Sequence, residues 1–364
     1  MFNLVINWTK LANNWINLQP VHQWYSIYMN KKISNIIKYL LSALLAVVLL
    51  YFSFREVEWA DFIKELKDCR WEYIILSMAA GAFAFWLRAL RWRKLLLPMD
   101  DGISRITTFN AVNIGNISNF VFPRIGEFVR CGVITRRSSP EDSQHPEHKK
   151  ASYDKVLGTV VLERSWELLV MLILLAVVVV GGFDRFGGFF VEQIWAPASQ
   201  RLNFSLWWIV TAFVLSAAGV GYLLWRFRES NRFFSKVWGI FRGVLQGFSS
   251  CLKMEQKWLF FAYTALIWLT YWLMAASTVW AAPFLADLTV IDALFLSLVG
   301  GLGFAVPVPG GIGAFHFIIS LALAGLYGIP MEMGIIYATL SHTSQAITQI
   351  AFGAGSYIYE ALKK

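Results

Sequence analysis

Charge and cysteine are both scarce in this sequence. Only 15% of its 364 residues are Asp, Glu, Lys or Arg, against about 25% in an ordinary soluble domain. The three cysteines, Cys69, Cys131 and Cys251, are scattered. They have no metal-ligand spacing and build no disulfide framework. Also missing are a phosphate-binding Walker loop, a Gly-x-Ser-x-Gly elbow and a zinc-ligand spacing. No polar stretch is long enough to form a nucleotide-binding domain. These absences argue against chemistry on a soluble co-substrate, so no catalytic residue, cofactor or metal is expected.

What is abundant is apolar surface. The chain is 57% hydrophobic with a mean hydropathy of +0.53, which identifies an integral membrane protein. Its net charge of +9 would suit nucleic acid, but the Lys and Arg sit in short loops between apolar runs, the positive-inside pattern. Basic residues near a membrane face are also drawn to anionic lipid, by about 1 kcal/mol each. The expected partners are therefore membrane lipids and not nucleic acid.

Apolar runs of roughly the 20 residues needed to cross a bilayer predict an all-α, polytopic fold. Six full spans are expected, at 34–54, 71–87, 157–183, 206–225, 258–283 and 333–358. Two further segments, 103–134 and 291–327, are expected to be re-entrant hairpins, the first dipping from the cytoplasm and the second from outside. Both termini then lie in the cytoplasm, and the opposed hairpins suggest an inverted repeat. Residues 31–364 form one membrane domain, with a flexible cytoplasmic loop at 137–153 and an amphipathic cytoplasmic segment at 226–257. Residues 1–30 are either a leader lying on the membrane surface or a stretch upstream of a translation start at Met29.

The two hairpins carry the most informative sequences, NAVNIGNISNFVFPRIGEFVR at 110–130 and LGFAVPVPGGIGAFH at 302–316. Each breaks an apolar run with proline and glycine. Non-helical backbone at membrane depth is tolerated only where protein buries it or it lines a wet cavity. Interrupted segments in the two halves of a chain therefore point to a transporter's binding site. Asn110, Asn113, Asn116 and Asn119 recur every third residue and share one side of a helix.

Ionisable groups inside membrane segments are costly and functional by default. Here they are Arg124, Glu127, Arg130, Glu163, Arg164 and Glu167. After Pro123 and Gly126 a helix start is left with free amides beside an arginine, an anion site to which the arginine fork adds bidentate recognition of phosphate. Arg124, Arg130, Arg164, Asn116, Asn119, Gly310 and Gly311 are thus the expected binding residues. Glu127, Glu163, Glu167 and His316 are the expected charge partners or gate. Pro123, Gly126, Pro307 and Pro309 are the expected hinges, with Gly126 relaxing the first turn. A structural reading pairs Arg124 with Glu163 and Arg164 with Glu127 as ion pairs that lock the bundle. A functional reading opens the same pairs when a phosphate replaces a carboxylate, and both can hold. His342 reads as a core residue or a proton relay. Trp86, Trp92, Trp207, Trp208, Trp258 and Trp268 read as interfacial anchors or packing.

Arg88-x-x-Arg91-Trp92, Asn119-x-x-x-Pro123-Arg124-x-Gly126-Glu127-x-x-Arg130, Glu163-Arg164 and Pro307-x-Pro309-Gly310-Gly311-x-Gly313 resemble the flippase-like, lysylphosphatidylglycerol synthase transmembrane family, from about residue 31 onward. The resemblance implies a bacterial inner-membrane protein related to the half of those enzymes that moves modified lipid between leaflets. It does not extend to their aminoacyl-transferase domain. His316 stands where the family often has an acid, and Glu167 where an aspartate is expected. The function so implied is a translocase, flippase or scramblase, for an anionic phospholipid or lipid-linked headgroup. The alternatives are an accessory subunit of a separate lipid or glycolipid synthase and a membrane-embedded lipid transferase. The oligomeric state is left open.

Overall fold

A computed structural model describes residues 57–138, 151–187 and 256–363 continuously, with isolated positions between 44 and 55 and between 196 and 235. The expected extension 1–30, the spans 34–54 and 206–225, most of the loop 137–153 and the segment 226–257 lie outside the described residues, single positions apart. The described residues form helices and no strand. The chain is an all-α polytopic membrane protein.

A short amphipathic helix, α1 (Trp59–Asp68), leads into α2 (Trp71–Leu96). It seats Phe62 and Leu66 against Ile336 and Leu340. Helices α2, α5 (Tyr153–Gly181) and α6 (Lys257–Ala281) are each long and apolar enough to cross a membrane. At about 1.5 Å per residue each exceeds the ~30 Å hydrocarbon core. α2 and α6 pack closely along their length. Ser77 Oγ donates across the seam to the Met274 carbonyl at 3.1 Å, while Gly81 of α2 faces Gln345, where a Cβ would meet the amide. The last helix, α9 (Met331–Leu362), runs unbroken for 32 residues through the expected final span.

The first hairpin consists of α3 (Arg105–Val121) and α4 (Gly126–Arg137). Ser104 caps α3, accepting from the Thr107 amide at 3.0 Å. Pro123 cannot continue the backbone ladder, and the chain turns at Arg124, which has φ 61° and is the one non-glycine residue with positive φ among those described. Such a conformation is rare for a bulky side chain and costs about 1–3 kcal/mol. The left-handed residue of the turn is therefore Arg124. Gly126 instead opens α4 against α3. A Cβ there would lie 1.9 Å from the Gly115 carbonyl oxygen, and its amide donates to Asn119 Oδ1 at 2.8 Å.

The second hairpin consists of α7 (Val290–Gly303) and α8 (Ala314–Tyr327), 14 residues each. They are the two half-length helices expected on either side of the break. Taken with its preceding turn, the stretch Pro309–Tyr327 also satisfies the length and hydropathy of a span. The break contains Gly310, Gly311 and Gly313 at φ 59°, 76° and 82°, a run of left-handed backbone that only glycine adopts without strain. Gly303 lets the arms touch, since a Cβ on it would meet the Phe315 Cα at 2.8 Å.

The two tips meet. Arg124 Nη2 donates to the Ala305 carbonyl at 3.1 Å, and a Cβ on Gly310 would lie 2.7 Å from the Phe120 ring. Each broken segment therefore covers the other.

Candidate functional site

Three helices bring charged residues to one level of the bundle: Arg88 and Arg91 on α2, Glu127 and Arg130 on α4, Glu163, Arg164 and Glu167 on α5. Within each helix the charges recur about one turn apart and so share a face.

They form two layers. The inner layer is dry. Glu163, with no exposed side chain, accepts from Arg130 Nη1 at 2.7 Å and lies 3.5 Å from Arg91 Nη2. Arg91 also donates to Glu167 Oε1 at 2.5 Å. The Arg130 guanidinium stacks 4.6 Å over the Trp92 ring, and Trp92 Nε1 donates to Thr159 Oγ1 at 2.9 Å. The outer layer is wetter. Arg164 spans two carboxylates, Glu127 at 2.6 Å and Glu167 at 2.9 Å. Asn119 Nδ2 reaches the other Glu127 oxygen at 3.3 Å. Arg88 comes only within 3.8 Å of Glu167, and its Nε has no hydrogen-bond partner.

The outer layer forms one wall of a cavity of about 660 Å³, within the usual range for small-ligand sites. Arg88, Glu127, Arg164 and Glu167 line it from the bundle, and Arg124, Gly310 and Gly311 from the hairpin tips. Asn116 and Asn119 line it from α3. The rest of the lining includes Trp268, Tyr271, Ser297, Gln345 and Gln349 among aromatic and aliphatic groups. Four arginines face three glutamates across the two layers, and Arg124 adds a further cation whose contact is a carbonyl. The site therefore holds positive charge beyond what its own carboxylates neutralise.

Of the expected binding residues, Arg124, Arg164, Asn116, Asn119, Gly310 and Gly311 line the cavity, whereas Arg130 is 2% exposed and sits behind its wall. Glu127 and Glu167 line it and Glu163 does not. The expected Arg164–Glu127 pair forms. The expected Arg124–Glu163 pair does not, because Glu163 is enclosed by Arg91 and Arg130 while Arg124 is held at the turn. His316 is buried outside the cavity lining, its ring 5.1 Å from that of His342. His342 does line the cavity, and its Nε2 donates to the Gly310 carbonyl at 2.9 Å. Trp258 is exposed as an anchor would be, but Trp92 is buried beneath Arg130 and Trp268 faces the cavity. Cys69 and Cys131 are buried free thiols.

Sequence reasoning missed Arg88 and Arg91 as members of the site. They stand just past the expected end of the 71–87 span, yet Arg91 is fully buried. Their spacing, one turn apart like Glu127 with Arg130 and Glu163 with Glu167, was the available signal.

No curated protein and no solved structure matches the chain. The family described as the lysylphosphatidylglycerol synthase TM region matches residues 36–353, nearly the whole chain and all of the site above. The chain belongs to the lysylphosphatidylglycerol synthase transmembrane-region family, and with its membrane-crossing helices this marks a multi-pass membrane protein with a role connected to membrane lipid.

Proposed function

We propose that the protein moves an anionic phospholipid or lipid-linked headgroup between the leaflets of a bacterial cytoplasmic membrane. The observation that carries this reading is the arginine-rich cavity enclosed where two broken hairpins meet. Interrupted helices meeting at a cavity suit a substrate site near the bilayer midplane. An excess of arginine there favours a phosphate, which takes two parallel hydrogen bonds from a guanidinium. Glu127 and Glu167 both hold Arg164; a bound phosphate that replaces Glu127 loosens α4 from α5. Arg124 links substrate to hinge, because its guanidinium also ties the first tip to Ala305 of the second. The basic end of α4, with Arg136 and Arg137, supports a cytoplasmic position for that end of the bundle.

A transporter fits these residues better than a lipid transferase does. Glu127, Glu163 and Glu167 are each gripped by arginine, so none is held as a free general base.

In proteoliposomes, Arg124→Ala/Arg164→Ala is expected to slow leaflet exchange of labelled phosphatidylglycerol by roughly tenfold or more, the loss of charge-assisted hydrogen bonds of about 1.5–3 kcal/mol each. Unchanged exchange by a double variant that elutes as a single folded species would overturn the reading.

A further inference from the structure

The cavity accounts for only half of the asparagine row on α3. Asn116 and Asn119 line it, whereas Asn110 and Asn113 lie beyond it, toward the start of the helix, and are buried. α9 shows a matching change of character. Its first buried residues are mostly apolar, Ile335, Ile336, Tyr337 and Leu340 among them, but from His342 onward the buried ones are His342, Ser344, Thr348, Gly353 and Ser356. The exposed face of the same stretch carries Ile347, Ile350, Phe352, Tyr357 and Ile358. A helix with its apolar residues outside and its polar ones inside suits lipid on one face and a polar passage on the other.

The two polar stripes meet. A Cβ on Gly353 would lie 2.7 Å from Ile117 Cβ and 3.1 Å from the Asn113 carbonyl oxygen. At one end of this seam Asn116 and Gln349 both line the cavity. At the other, Asn110 Nδ2 donates to Glu360 Oε1 at 2.7 Å, and Arg137 Nε of α4 donates to Glu360 Oε2 at 2.7 Å. Along α9 the distance from Gln349 to Glu360 is about 16 Å at the helical rise. The seam therefore connects the cavity to the end of the bundle that carries Arg136 and Arg137.

Polar side chains between membrane helices can act as glue, but glue bonds across the interface. Here Asn113 Nδ2 donates to Phe109 of its own helix at 3.0 Å, and Thr348 Oγ1 to Ser344 of its own helix at 2.9 Å. Among the described residues the one hydrogen bond between α3 and α9 is that of Asn110 with Glu360. The other contacts of the seam are apolar, such as the Phe109–Phe352 ring pair at 6.0 Å. Gln345 Nε2, meanwhile, donates to the Ser77 carbonyl at 3.1 Å and to Ser77 Oγ at 3.0 Å, which holds the middle of α9 on α2. The far half of α9 can thus part from α3 once Glu360 lets go. We infer that the seam between α3 and α9 is the route by which a lipid headgroup passes between the cavity and the Arg136 and Arg137 end of the bundle, and that Glu360 is the latch that closes it. This inference rests on the transport reading above.

The test uses the full chain with Ser356→Cys, at a site 5% exposed on the face shared with Gly353 and Glu360. The probe is a charged, water-soluble methanethiosulfonate, and the chain without the added cysteine gives the background. In nanodiscs Glu360→Gln is expected to speed labelling roughly tenfold, the effect of losing one charge-assisted hydrogen bond. Arg137→Gln is expected to do the same, and the swap Arg137→Glu/Glu360→Arg to bring the slow rate back. In proteoliposomes the labelled protein is expected to exchange phosphatidylglycerol between leaflets at least about tenfold more slowly than the unlabelled one. Labelling that is equally fast with and without Glu360→Gln, or that stays fast in the swap, overturns the latch. Unchanged exchange by the labelled protein overturns the route. The transport reading fails separately: an unlabelled wild-type chain that exchanges no lipid removes that reading, while the labelling rates still decide whether Glu360 closes the seam.

Discussion

Glu163→Gln is expected to destabilise the protein by about 3–5 kcal/mol, the cost of leaving a buried charge without its partner. Arg91 and Arg130 are 0% and 2% exposed and share this carboxylate. Glutamine fits the same space but removes the negative charge, so Arg130, whose Nε and Nη2 already have no partner, is left with no salt bridge in the inner layer. Arg91 keeps Glu167 at 2.5 Å, which limits the damage to one side. Thermal unfolding in detergent, followed by loss of the monodisperse peak, measures the effect. The double variant Arg130→Met/Glu163→Leu separates charge from shape. Removing both partners can be nearly neutral, so it is expected to be markedly more stable than Glu163→Gln. If both variants fell equally, packing at this level would matter and the charges would not.

Gly126→Ala is the second large effect, at or above about 3 kcal/mol, the upper range for overpacking. The new Cβ would lie 1.9 Å from the Gly115 carbonyl oxygen and 2.8 Å from Asn119 Oδ1. The first obstacle is backbone, which has no rotamer to yield, so α3 and α4 must separate. Separation would also break the bond from the Gly126 amide to Asn119 and shift Glu127 away from Arg164. Gly132 lies on the same helix with nothing within 4 Å of its would-be Cβ. Gly132→Ala is expected to be neutral or to stabilise by about 0.5–1 kcal/mol, the ordinary helical gain over glycine. Unfolding midpoints for the two variants, measured side by side, check the contrast. Equal midpoints would contradict the close approach of the hairpin arms.

Much of this arrangement was legible in the sequence because its cause is local. Proline and glycine within apolar runs announce both breaks, since no bilayer solvent satisfies loose backbone. The ionisable cluster stands out for a similar reason: charge at that depth needs a partner or a task. What stayed hidden is pairing, which depends on how helices distant in sequence are set against one another. Glu163 pairs with Arg130 and Arg91 instead of Arg124, because α4 delivers Arg130 and α2 delivers Arg91 to its side of α5. The turn illustrates the same limit. Glycine was the natural choice for left-handed backbone, yet Arg124 adopts it and Gly126 is required by the closeness of Gly115. A contact between two backbones leaves no trace in local sequence pattern.

Whether Arg88, Arg124 and Arg164 surround a lipid phosphate where the two hairpins meet is tested most directly by a structure of the full chain in nanodiscs containing phosphatidylglycerol. Phosphate density is expected within about 3.5 Å of these guanidinium groups, with at least one of the Arg164 carboxylate contacts lengthened. A cavity filled by acyl chains alone, with the Glu127–Arg164–Glu167 bridge intact, would contradict a headgroup site and leave the arginines a purely structural role.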